Sequence, residues 1–124
     1  MAGREPNRPL RVLFVCSMNR WRSPTAEQLY RLDPRLEVRS AGTRSGARRR
    51  VSEADLRWAE VVFAMDREHG SWIAAQFRHL ELPRIVVLEI PDEYRYMDPR
   101  LQEVLRASVD PELNSILSGG SANA

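Results

Sequence analysis

The chain has 124 residues, enough for one domain with a single hydrophobic core. Hydrophobic residues make up 43% of it, a normal share for a globular protein, so we expect disorder only at the ends. The formal net charge of +2 is too small to indicate a nucleic-acid partner. One cysteine excludes an intrachain disulfide, and the two histidines add no metal-ligand cluster, so we expect no metal site.

The ends of the chain and its free thiol bear on where the protein is found. Residues 1–9 are polar and contain two prolines, so they lack the apolar segment of a signal peptide. No later apolar run is long enough to span a membrane, so we expect no membrane partner. A free thiol suits a reducing compartment. We therefore expect a cytoplasmic protein with a disordered leader at residues 1–9, one domain at residues 10–118 and a flexible tail at residues 119–124.

Strand-like and helix-like patterns of apolar residues alternate along the chain. The predicted strands are residues 10–15, 36–39, 61–65 and 84–90. The predicted helices are residues 24–32, 52–59 and 66–80, followed by two more that begin at residues 98 and 110. This order predicts an α/β fold, a single domain in which a four-stranded parallel sheet carries helices on both faces.

Several of these boundaries rest on particular side chains. Asp98-Pro99 and Asp110-Pro111 are each predicted as an N-cap followed by the first helical residue. Residues 40–50 form a predicted loop whose arginine run at positions 48–50 indicates a solvated segment, with binding of an acidic partner as the alternative. In a parallel sheet, ligands bind beyond the carboxyl ends of the strands.

The most informative stretch is residues 12–27, VLFVCSMNRWRSPTAE. Cys16 ends an apolar strand, five residues separate it from Arg22, and Ser23-Pro24 is predicted to start a helix as N-cap and first helical residue. A loop between a strand and a helix N-terminus directs backbone N–H groups at one point and binds anions, and the helix end and Arg22 favour the thiolate form of Cys16. A lone cysteine at a strand end is most often an inert core residue, but this motif in this setting favours an oxyanion-binding loop.

These residues resemble the signature of the low-molecular-weight protein tyrosine phosphatases. The resemblance covers VLFVC, Asn19, Arg22-Ser23-Pro24 and Ala26-Glu27, and it continues in the pieces SAGT at residues 40–43 and AMD at residues 64–66. It implies a phosphatase I-like fold and cofactor-free, cysteine-dependent hydrolysis of a phosphate monoester, with protein phosphotyrosine as one candidate. The implied partners are a phosphorylated protein or small molecule, and inorganic phosphate or sulfate in the loop.

The resemblance also implies a role for each residue of the site. Cys16 attacks phosphorus and Arg22 clamps the phosphoryl oxygens, while Ser23 donates a hydrogen bond to the thiolate. Asn19 supports the loop through a network that includes Ser40. The implied phosphate-binding loop comprises Cys16, Ser17, Met18, Asn19, Arg20, Trp21, Arg22 and Ser23.

The leaving group needs a proton, which in the family comes from an Asp-Pro-Tyr loop after the last strand. Residues 91–94, PDEY, fit that place, with Glu93 where proline is expected. Asp92 is therefore the predicted general acid. The alternative is Asp98, which belongs to an Asp-Pro pair but is already explained as a helix cap.

The chain differs from the family pattern at several loop positions. Ser17 and Arg20 stand where apolar residues form a slot for the phosphotyrosine ring, and Tyr94 is the third predicted wall of the substrate pocket. Met18 replaces a usual glycine, and Trp21 replaces a second cysteine. These differences leave open a catalytically weak phosphate- or oxyanion-binding regulatory module. A further alternative, arsenate reductase, requires an external thiol because the chain has no second cysteine.

Overall fold

A computed structural model describes residues 8–119 of the chain. Its elements are β1 (Leu10–Cys16), α1 (Arg22–Tyr30), β2 (Leu36–Gly42), α2 (Glu53–Trp58), β3 (Val61–Ala64), α3 (Arg67–Gln76), β4 (Arg84–Val87) and α4 (Pro99–Leu117). The strands form one parallel sheet in the order β2-β1-β3-β4, which confirms the predicted α/β fold. The predicted leader and tail lie mostly outside the described residues, and the boundaries at residues 10 and 118 stay predictions. No helix within residues 8–119 is both long and apolar enough to cross a membrane.

The central strand β1 is buried on both faces, because alternate side chains enter two separate cores. Phe14 points to the face covered by α1 and α4, where its ring stacks on Tyr30 with 5.9 Å between centroids. Leu13 points to the opposite face and packs with Leu56 of α2 and Ile73 of α3. Helices therefore cover both faces of the sheet, and β1 holds the end that carries Cys16 rigidly in the centre.

Helix α1 begins at Arg22, earlier than the sequence predicts, and Trp21 occupies the N-cap position without a side-chain capping bond. The prediction of Ser23 as the N-cap is wrong. The Ser23 hydroxyl lies instead 3.0 Å from the Cys16 sulfur and accepts a hydrogen bond from the amide of Asn19. A hydroxyl engaged in this way cannot also cap the helix.

One helix, α4, replaces the two helices predicted after residue 98. Asp98 caps it as predicted, since its carboxylate accepts the N–H of Arg100 at 2.9 Å. Asp110 does not start a new helix; its carboxylate accepts the hydroxyl of Tyr30 from α1, and Pro111 lies inside the helix. The buried stripe that includes Leu105 continues through this point to Leu113, so packing against the sheet holds the helix together across the proline.

Two strand ends also differ from the sequence prediction. Strand β2 continues to Gly42, so Ser40 lies inside the strand rather than after it. Strand β4 stops at Val87, and Glu89 has a left-handed backbone with φ of 58° that no continuing strand permits. The turn after β4 brings the carbonyl of buried Ile90 and the carboxylate of Asp92 toward the end of β1.

Candidate active site

The loop from Cys16 to Arg22 is held by the segment that follows β2. The carbonyl oxygens of Cys16, Ser17 and Met18 accept the backbone N–H groups of Thr43, Arg44 and Arg48, each at 3.0 Å. Because C=O and N–H point in opposite directions across a trans peptide, the N–H groups that follow point away from that segment. Within residues 8–119, the N–H groups of residues 17–20 find no protein acceptor. A run of free N–H groups beside a helix N-terminus is an oxyanion-binding cradle.

The cradle opens into a cavity of about 110 Å³. Its lining residues are Cys16, Ser17, Met18, Arg20, Trp21, Arg22 and Asp92. The cavity thus brings the thiol, the arginine and the favoured aspartate together, although they come from β1, α1 and the turn after β4. Cys16 is buried, and the Arg22 side chain is only 3% exposed.

Three acceptors hold the Arg22 guanidinium in place. Its Nη1 donates to Asp66 Oδ2 and to the carbonyl oxygen of Ile90, both at 3.0 Å, and its Nε lies 3.4 Å from Asp92 Oδ1. The sequence analysis predicts Asp66 as the start of α3 and includes it in the AMD piece of the family resemblance; its position directly after β3 places it on the ligand-binding edge, where it contacts Arg22. A guanidinium fixed from one side keeps its remaining N–H donors oriented toward an anion.

A chain of hydrogen bonds runs from Glu27 to the thiol. The hydroxyl of Ser40 donates to Glu27 and therefore accepts one N–H of the Asn19 amide, at 2.9 Å. The other N–H of Asn19 is donated to Ser23 Oγ, also at 2.9 Å. The Ser23 proton is thus left for Cys16 Sγ at 3.0 Å, or more weakly for the carbonyl oxygen of Ala41 at 3.4 Å. The arrangement suits a serine that stabilises a thiolate.

His69 contacts the cradle, although the sequence analysis does not predict it as a site residue. It is fully buried, its Nδ1 accepts the backbone N–H of Asp66 at 3.0 Å, and its Nε2 lies 2.9 Å from Ser17 Oγ. Burial lowers the pKa of His69, and the positive charge of Arg22 lowers it further. The ring is therefore neutral with its proton on Nε2, and it donates to Ser17. This hydrogen bond holds the side chain of Ser17, the first residue of the cradle after Cys16.

The left-handed residue of the loop is Asn19, with φ of 54°, and Met18 has an ordinary backbone in place of the family's glycine. The glycine that the site does need is Gly42 in β2. A Cβ there would lie 2.6 Å from the Ser17 carbonyl oxygen and 2.7 Å from the Cβ of Ala47. Only a residue without a side chain lets β2 pass this close to the loop.

The arginines at residues 48–50 are solvent-exposed, and each also donates a hydrogen bond to a backbone carbonyl. Arg48 Nε donates to the Asn19 carbonyl at 3.0 Å, and Arg50 Nε donates to the Thr43 carbonyl at 3.2 Å. Arg49 donates to the Ser40 carbonyl and pairs with the buried carboxylate of Asp55. These contacts support the loop that holds the cradle, and the exposure of all three side chains agrees with the predicted solvated segment.

Two other predicted site residues lie outside the cavity lining. Tyr94 packs against the core, with the Arg100 guanidinium 5.5 Å from its ring centroid. Asp98 does not line the cavity among the residues described, and its hydrogen bonds with Arg100 hold the pKa of its carboxyl below the ordinary value. Among the described residues, the cavity is therefore lined by Asp92 and not by Asp98.

The fold and the site together define the general class of the protein: it is an α/β protein whose parallel sheet carries an oxyanion-binding loop at the end of its central strand, β1. The family model for low molecular weight phosphotyrosine protein phosphatase matches residues 11–95, more than half of the chain. The chain therefore belongs to this family, and it is a phosphoric monoester hydrolase. No curated protein is similar enough to match.

Several solved structures share the fold. YfkJ from Bacillus subtilis is 24% identical with a TM-score of 0.70, and the match covers 94% of this chain and 99% of that one. The tyrosine phosphatase Wzb from Escherichia coli K30, in complex with phosphate, is 22% identical with a TM-score of 0.66, covering 85% and 96%. The YwlE arginine phosphatase from Geobacillus stearothermophilus is 20% identical with a TM-score of 0.62, covering 87% and 96%. At these identities the likeness shows the fold alone.

Proposed function

We propose that the protein hydrolyses a phosphate monoester through a phosphocysteine formed on Cys16, in a reducing, cytoplasmic setting. The observation that carries the proposal is the meeting in one cavity of the thiol, the free N–H groups of residues 17–20 and the Arg22 guanidinium. Family membership favours this activity over an oxyanion-binding module or an arsenate reductase. The solved structures of similar fold include both a tyrosine and an arginine phosphatase, so the fold does not choose the substrate.

In the first step the Cys16 sulfur uses an electron pair to form an S–P bond, and the P–O ester bond breaks with its electrons on the leaving oxygen. Asp92 supplies a proton to that oxygen. Arg22 and the loop N–H groups bind the three non-bridging oxygens, where charge must be stabilised in the transition state. The Ser23 hydroxyl stabilises the thiolate before attack and on its return.

In the second step a water molecule forms a new O–P bond and the S–P bond breaks, releasing inorganic phosphate and the thiolate. Asp92, now ionised, accepts a proton from that water. Each group thus returns to its starting state without a metal or an added cofactor in the balance.

The first experiment compares hydrolysis of a small aryl phosphate by the wild type and by Cys16→Ser. We expect turnover by the wild type and none above background by the variant, which should still bind phosphate because the cradle and Arg22 remain. Phosphate or vanadate should also protect Cys16 from alkylation by iodoacetate, and Arg22→Ala should remove this protection. Protection that persists in Arg22→Ala would show that the arginine is not the clamp.

The second experiment separates the two aspartates by leaving-group dependence. Asp92→Asn should lower turnover of an alkyl or plain phenyl ester about a hundredfold, and that of nitrophenyl phosphate much less, because nitrophenolate departs without a proton. Asp98→Asn is the matched control and should leave turnover unchanged and stability nearly so, because asparagine caps a helix about as well as aspartate. The reverse pattern would assign the acid to Asp98, and no effect in either variant would contradict acid catalysis by a carboxylate.

A further inference from the structure

A groove of about 760 Å³ runs from the phosphate cavity along α1. Arg20 and Trp21 belong to the walls of both, so the two spaces are adjacent. The cavity itself has the volume of roughly four water molecules, which is room for a phosphoryl group but not for the molecule that carries it. The rest of a bound substrate must therefore lie outside the cavity, and the groove along α1 is the larger of the two open spaces that share wall residues with it in the described chain.

The groove carries three cations and one carboxylate. Arg20 and Arg31 are exposed and have no ion-pair or hydrogen-bond partner within residues 8–119. Arg48 uses only its Nε, on the Asn19 carbonyl, so its two terminal nitrogens are also free of partners in this part of the chain. The carboxylate is Glu27, which already accepts the Ser40 hydroxyl. The excess of unpaired guanidinium groups favours ligands that bear carboxylates.

Two aromatic side chains complete the groove. Trp21 is 40% exposed and Tyr96 is 50% exposed, and both are among the few large hydrophobic residues that face solvent in the described chain. The guanidinium of Arg95 lies 5.8 Å from the Trp21 ring centroid and adds a positive charge beside that ring. Partly exposed aromatic rings beside arginines are typical of surfaces that bind polypeptides.

We propose that this groove binds the polypeptide on one side of a phosphorylated residue and selects acidic residues in it. The proposal rests on the phosphatase function proposed above and names the class of its substrate. Arg31 follows the last residue of α1, nine residues after Arg22, which places it about 13 Å along the helix axis from the phosphate clamp. An extended peptide covers that distance in about four residues. The preferred substrate therefore carries Asp or Glu about four residues from the phosphorylated one.

The test uses two phosphopeptides that share a phosphotyrosine and differ only in the flanking residues, which are Glu in one and Ala in the other. Binding is measured by calorimetry with the Cys16→Ser protein, so that the result does not depend on turnover. We expect the acidic peptide to bind at least fivefold more tightly at low salt, with the preference decreasing at 0.5 M salt. Adding Arg31→Glu should reduce the preference to below twofold.

Arg78→Glu is the matched control, since Arg78 is exposed, has no ion pair within residues 8–119 and follows α3 on the opposite face of the sheet. It should leave the preference unchanged. Equal binding of the two peptides, or a preference that Arg31→Glu leaves intact, would overturn the groove as the recognition site. Loss of the preference in Arg78→Glu as well would show that the attraction is only that of net charge and would also overturn it. Hydrolysis of an aryl phosphate by the wild type tests the phosphatase function separately from either result.

Discussion

Asn19 is the residue whose replacement should reveal how the cradle is stabilised. Its side chain is fully buried, its backbone has φ of 54°, and its amide nitrogen donates to Ser23 Oγ and Ser40 Oγ at 2.9 Å each. Its amide oxygen is buried without a hydrogen-bond partner among the described residues, so nothing is lost there on truncation. Asn19→Ala therefore removes two hydrogen bonds and places an ordinary residue in the left-handed region.

The magnitude follows from these two effects. Each hydrogen bond contributes about 1 kcal/mol to the free energy of unfolding. The left-handed backbone adds about 1 kcal/mol for alanine, which lacks the local hydrogen bonding that asparagine can use there. We expect Asn19→Ala to lower the free energy of unfolding by about 3 kcal/mol, and Asn19→Gly by about 2 kcal/mol because glycine adopts this conformation without steric cost.

The measurement is urea denaturation of both variants, with Asn114→Ala as the control. Asn114 is exposed on α4, and its replacement should change the free energy of unfolding by less than about 0.5 kcal/mol. If Asn19→Ala and Asn19→Gly destabilise equally, the backbone conformation is not a source of strain. If both cost less than about 1 kcal/mol, the hydrogen bonds to the two serines do not stabilise the loop.

Two further predictions concern residues beneath the cradle. Gly42→Ala places a Cβ 2.6 Å from the Ser17 carbonyl oxygen, so it should cost about 1–3 kcal/mol of unfolding free energy and weaken phosphate binding; unchanged phosphate affinity by calorimetry would contradict this. The pKa of His69 is lowered in the folded state, so the unfolded chain takes up a proton first as the pH falls below about 6.5. The stability that neutral His69 contributes should therefore be fully present above that pH and be lost as the pH falls toward the pKa of the folded state. In urea denaturation measured from pH 7 to pH 5, the free energy of unfolding should decrease less in His69→Gln than in the wild type.

The sheet could be predicted from the sequence because its signals are local. A continuous apolar run marks β1, and helical spacing of apolar residues marks the helices between strands. The extent of α4 could not be predicted, because Asp110-Pro111 has the local pattern of a helix start. The Tyr30 hydroxyl, eighty residues away in the chain, engages the carboxylate that a new helix would need as its cap. A long-range contact thus overrides a local preference.

The residues of the candidate site also fall into two groups, those that a local sequence motif predicts and those that long-range contacts bring to the site. The order of Cys16, Asn19 and Arg22 within one loop is a local motif, so the amino-acid sequence is enough to recognise it. Asp66 and His69 come from the start of α3, 44 and 52 residues from their partners Arg22 and Ser17, and their contacts depend on how β3 lies beside β1. The position of Asp66 directly after β3 and the AMD piece at residues 64–66 mark that residue in the sequence, whereas no local pattern indicates the contact of His69 with Ser17.

The segment after β2 explains how the loop accommodates its departures from the family pattern. A glycine two residues after Cys16 is dispensable here because the Met18 carbonyl accepts the Arg48 N–H and the turn is made by Asn19. The close packing of the loop on β2 depends instead on Gly42, where a Cβ would lie 2.6 Å from the Ser17 carbonyl oxygen. The cradle therefore depends on two segments, the loop and residues 42–50, which are joined by backbone hydrogen bonds. A substitution in either segment should therefore change the surroundings of the Cys16 thiol.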